Sequence, residues 1–71
     1  MTPDQIEAGA TYHGKTGKDR TAKRIFETRY LDGEPYMAVE YEVTMARGPS
    51  KARRLECGLA VFARWARERV E

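Results

Sequence analysis

Seventy-one residues, 41% hydrophobic and 34% charged, provide one core and exclude a second domain, while seven aromatics argue against a disordered chain. A single cysteine, Cys57, excludes an internal disulfide, Met1–Gln5 lacks the basic and apolar regions of a signal peptide, and no apolar run approaches the roughly 20 residues that cross a bilayer. The chain therefore reads as a compact cytoplasmic domain and, starting at Met1, as a complete small gene product whose formal net charge of +2 says little about its partners.

Thr2-Pro3-Asp4-Gln5 has the chemistry of a helix start, with Thr as N-cap and Pro at the first helical position, but Gly9 limits it to one turn. Ile6 is expected to pin this segment to the core. Ala10–His13 predicts a first strand, and Gly14–Asp19 a loop. Residues 22–31 (AKRIFETRYL) predict a second strand with imperfect alternation: Phe26, Thr28 and Tyr30 share one face, Ile25 and Leu31 the other. A bulge or a strong twist would reconcile the two sets. Asp32-Gly33-Glu34-Pro35 is a turn signal. Residues 36–44 predict the clearest strand, with Met37, Val39, Tyr41 and Val43 pointing one way and Ala38, Glu40 and Glu42 the other. After a break at Arg47–Ser50, a fourth strand is expected from Ala52 to Cys57.

The period then changes. Leu59, Phe62, Ala63, Ala66 and Val70 fall within about 100° of a helical wheel, with Trp65 at the border and Arg64, Arg67 and Glu68 opposite. This predicts an amphipathic C-terminal helix over 59–71, packed on a sheet. The expected fold is mainly β (α+β): an antiparallel barrel of four to five short strands over residues 1–58, closed by that helix. Ile6-x-x-Gly9-x-x-Tyr12-x-Gly14, followed by a basic second strand, resembles the opening of small SH3-like barrels. Most of the chain, particularly Tyr41-Glu42-Val43 and the stretch from Leu59 to Ala66, is similar to short phage and prophage proteins of uncharacterised function. That resemblance implies the SH3-like barrel and carries over no catalytic residue.

Little in the sequence points to catalysis. His13 and Cys57 are the only residues of their kinds, so the ligand inventory of a structural zinc site is missing. A Cys57–His13 nucleophilic pair would span opposite flanks of the sheet, and a lone cysteine before a helix reads better as a small core residue. Gly14-Lys15-Thr16-Gly17-Lys18 lacks the spacing of a phosphate loop, since Asp19 follows Lys18. Glu40 and Glu42 read as a solvated strand face. No enzyme activity, cofactor or metal is expected.

The distribution of charge is more informative. Lys15, Lys18, Arg20, Lys23 and Arg24 against Asp19 give +4 over residues 15–24, and Arg47, Lys51, Arg53 and Arg54 give +4 over residues 47–54. Asp32, Glu34, Glu40 and Glu42 put −4 between them. In an up-down meander the two basic connections share one end, so these nine cations are expected to form a DNA- or RNA-binding cluster and the opposite end to be acidic. Reversing Arg53 and Arg54 to Glu is then expected to abolish binding with little effect on unfolding. Tyr12, Phe26, Tyr30 or Tyr36 would add base stacking where exposed. The alternative is a protein-interaction module, acting on a host or phage protein through Val61, Arg64, Trp65 and Arg69, or an assembly component forming a homo-oligomer. The bland reading of the cations is that they solubilise loops and guard strand edges, and that of Trp65 is that it closes the core.

Overall fold

The computed structural model describes residues 1–44 and 53–71. A 3-10 turn at Pro3–Gln5 opens the chain, closed by the Thr2 N–H donating to Gln5 Oε1 at 2.8 Å. There follow β1 (Thr11–Gly14), β2 (Asp19–Arg29), β3 (Pro35–Thr44), β4 (Arg53–Gly58), a short helix α1 (Leu59–Trp65) and β5 (Ala66–Arg69). The fold is mainly β. Among the described residues five strands pair antiparallel in one sheet of order β4-β3-β2-β1-β5, which does not close, so β4 and β5 form its edges.

The β2–β3 hairpin sets the long dimension. Eleven residues at about 3.3 Å each span most of the molecule's 40 Å axis. Its turn is the one the sequence announces: Gly33 takes φ +90°, Gly33 N–H donates to Tyr30 O, and Asp32 Oδ1 accepts from Glu34 N–H at 3.0 Å. The bulge lies between Ala22 and Arg24. Lys23 is thus the extra residue, and it lets Ala22 and Ile25, three apart in sequence, both face the core.

Phe62 is the hub of that core. Its ring meets Tyr12 edge-on at 5.7 Å and lies tilted at 5.4 Å from both Tyr41 and Trp65. Ile6, Ala22, Val39, Ala63 and Ala66 complete the packing. The buried Tyr12 hydroxyl is satisfied, accepting from Glu7 N–H at 2.7 Å and donating to Gln5 O at 3.2 Å.

The expected C-terminal helix is corrected. The helix does not run from 59 to 71; it ends at Trp65, and Ala66 turns extended with ψ 132°. The amphipathic period continues past that point, but β5 instead pairs with β1, matching Tyr12 to Arg69 and His13 to Glu68. Ladder hydrogen bonds to an otherwise open strand outweigh local helix propensity. Ala38 is fully buried although it shares a face with Glu40 and Glu42, because its cross-strand neighbours are Phe26 and Gly58. Conversely, Met37 is exposed, and Leu31, beyond the end of β2, stands entirely in solvent.

Candidate nucleic-acid interface

The register brings loop 14–18 and the two residues that flank 45–52 to one end of the sheet. Asp19 at the start of β2 faces both His13 on β1 and Thr44 at the end of β3, and Val43 faces Arg53 at the start of β4. Loop 14–18 therefore begins and ends where the chain leaves the described sheet at 44 and re-enters it at 53. Arg47 and Lys51 lie outside the described residues, and Arg53 is placed as a backbone position.

Loop 14–18 is tied down by its surroundings. His13 Nδ1 and Asp19 Oδ1 lie 2.8 Å apart across its base. Lys15 N–H donates to Trp65 O, Gly17 N–H to Gly14 O, and Trp65 Nε1–H to Thr16 Oγ1 at 3.1 Å. Gly14 is there for space: a Cβ would overlap the Trp65 indole. Lys15 and Lys18 are exposed at the tip, and among the described residues neither pairs with a carboxylate. The half-buried Arg20 guanidinium stacks 4.1 Å from the Trp65 ring and 4.8 Å from Tyr41, which holds a cation on an aromatic shelf beside the loop.

The remaining described cations are engaged elsewhere. Strand β3 runs between β2 and β4, so its half-buried Glu40 and Glu42 sit between the two basic strands. Lys23 Nζ is 3.7 Å from Glu42, Arg24 is 3.8 Å from Glu40, and Arg54 reaches Glu40 at 3.3 Å and Glu42 at 3.1 Å. Arg24 also lies 4.3 Å over the Phe26 ring. Two carboxylates thus offset three of the nine candidate cations. The expected separation into a basic and an acidic end is corrected accordingly: Glu40 and Glu42 pair across strands, and only the Asp32–Glu34 turn lies at the far end. Reversing Arg54 would gather four acids on one face with Glu40, Glu42 and Glu56, so it is not the innocuous change the sequence suggests.

The alternative site is split. Trp65 is only 8% exposed and belongs to the core, while Arg69 on β5 pairs with Glu7 at 2.9 Å. Val61 and Arg64 line a groove of about 340 Å³ with Tyr30, Tyr36, Met37 and Leu59. The Tyr30 and Tyr36 rings stack there at 4.1 Å and 20°. Sequence reasoning did not assign this groove. Its one local signal was a pair of tyrosines flanking a tight turn. The distance from Asp19 to Thr28, which faces Tyr36, is nine strand residues or about 30 Å, so these rings are remote from the basic loop. Tyr12 is buried and Phe26 is half-buried, so neither is an open stacking platform.

His13 is occupied by Asp19, and burial pushes the Cys57 thiol above its ordinary pKa, against a smaller opposing pull from Arg20. A raised thiol is unlike an activated nucleophile. Among the described residues no three His, Cys, Asp or Glu side chains gather as metal ligands, and no helix is long and apolar enough to cross a membrane. Comparison with protein-family models, curated proteins and solved structures returns no match to the chain.

Proposed function

We propose that this chain is a non-enzymatic binding module that contacts nucleic-acid phosphates through the end of the sheet carrying loop 14–18. The observation that supports this reading is the shared register of Asp19, Thr44 and Arg53, which puts the start of β2 and both residues flanking 45–52 at one end. We also read the open sheet as an SH3-like small barrel, supported by the bent second strand and by the last strand returning beside the first.

With Lys23, Arg24 and Arg54 engaged, Lys15, Lys18 and Arg20 are left among the described residues, and Arg47, Lys51 and Arg53, whose side chains lie outside them, bring the candidates for phosphate to at most six. Six contacts give a slope of about −5 in log K against log[salt] on duplex DNA, where nine would give about −8. Fluorescence anisotropy with labelled single- and double-stranded oligonucleotides should return a slope no steeper than about −5, made shallower by about two in Lys15→Glu/Lys18→Glu. Equal affinity in that double variant, or no binding at low salt, overturns the reading.

A second reading, protein interaction, is favoured by the groove. Stacked tyrosines, a methionine and an arginine are the residue types that dominate interface cores. It predicts a complex that is lost in Val61→Asp and retained in Lys15→Glu/Lys18→Glu, scored by pull-down. A complex that survives Val61→Asp would place the contact elsewhere.

A further inference from the structure

Strand β4 is an edge, and among the described residues no strand pairs with its outer side. Its side chains are not those of a strand designed only to repel. Leu55, opposite Tyr41 on the core-facing side, is 41% exposed. Glu56 faces Glu40 directly, a like-charge cross-strand pair, and among the described residues no cation pairs with Glu56. Arg54, two residues earlier on the same face, is exposed.

We propose that β4 is a self-pairing edge, and that two copies of this chain join antiparallel through it about a two-fold axis at Leu55 to form a continuous ten-stranded sheet. Symmetry selects the register. A two-fold that pairs an edge with its own copy stands perpendicular to the sheet and keeps each face on its own side. Facing residue numbers therefore sum to an even value. With Leu55 on the axis, each Arg54 lies opposite Glu56 of the second copy, and the two Leu55 side chains cover one another. One step to either side places Arg54 opposite Arg54 or Glu56 opposite Glu56. Of these, only the Leu55 register is complementary in both charge and hydrophobicity, and it gives each Glu56 a cation that no described residue of its own chain supplies. A six-residue edge buries little area, so the dimer is expected to be weak and exchanging.

The test is a charge cycle read by sedimentation velocity from about 10 µM to about 1 mM, the regime of interfaces below about 1,200 Å². The wild-type chain should move toward twice its 8.1 kDa mass as concentration rises. Glu56→Arg sets a cation beside Glu40 and should keep the monomer folded by circular dichroism, yet weaken dimerisation at least about tenfold through two like-charge pairs. Arg54→Glu alone should also stay monomeric, while an equimolar mixture of the two variants, with every facing pair now opposite, should dimerise again. Should Arg54→Glu fail to fold, Glu56→Arg decides alone. A wild-type chain monomeric throughout, or a dimer indifferent to Glu56→Arg, overturns the proposal. The experiment needs no nucleic acid, so its outcome is independent of the function proposed above.

Discussion

Gly14 and Gly17 lie three residues apart in one loop and have opposite reasons to be glycine. Gly17 has φ +74° and open space around its Cα, so only its backbone conformation matters. Gly14 has no such φ, but the Trp65 indole occupies the place of a side chain. Gly17→Ala should therefore cost about 1–2 kcal/mol of left-handed backbone strain. Gly14→Ala must displace a ring packed against Phe62 and hydrogen-bonded to Thr16, an overpacking cost of about 1–3 kcal/mol or more. Against the roughly 3–5 kcal/mol that a core of this size supplies, the second is a large share. Thermal unfolding followed by circular dichroism should show Gly14→Ala lowering Tm while the Trp65–Thr16 contact is lost. An unchanged Tm would mean the indole moves aside freely.

At the scale of elements, β3 decides how much of the basic charge is available. Removing its two carboxylate charges in Glu40→Gln/Glu42→Gln should free Lys23, Arg24 and Arg54. Oligonucleotide affinity should then rise and the salt slope steepen by up to about three. A slope identical to wild type would show that those cations never face the phosphates. The stability cost should be small, because exposed ion pairs contribute about 0–1 kcal/mol each. The same strand shows what the sequence makes legible. Four strands, the Asp32–Gly33 turn and the need for a bulge follow from local alternation and turn chemistry. The partners of Glu40 and Glu42 do not, because they depend on which strands lie beside β3. Strand β5 was illegible for a related reason: residues 66–70 keep a helical period, and only the open edge of β1, more than 50 residues earlier, draws them out of it. The position of the bulge likewise depends on Tyr41 and Val39 facing Ala22 and Ile25.

At the scale of the whole molecule, summing charge along the chain misjudges its distribution in space. Two basic runs separated by an acidic one suggest a dipole, but an antiparallel meander folds the acidic run between the basic ones and cancels part of each. What survives is an elongated body, 40 Å along its principal axis, with distinct chemistry at its two ends. The cationic loop 14–18 occupies one end, and the tyrosine-lined part of the apolar groove lies toward the other. The Tyr30–Tyr36 end of the groove lies about 30 Å along β2 from loop 14–18, while Arg64 on its other wall adjoins Trp65, to which that loop is bonded.

Trp65 is the only tryptophan in the chain, and it lies directly under the cationic end. A polyanion that draws Arg20 toward itself lifts a positive charge from the indole face, and one that shifts Thr16 loosens the Nε1 hydrogen bond. Both change the polarity sensed by the single emitting ring. The protein thus carries an unlabelled fluorescent reporter placed at its basic end.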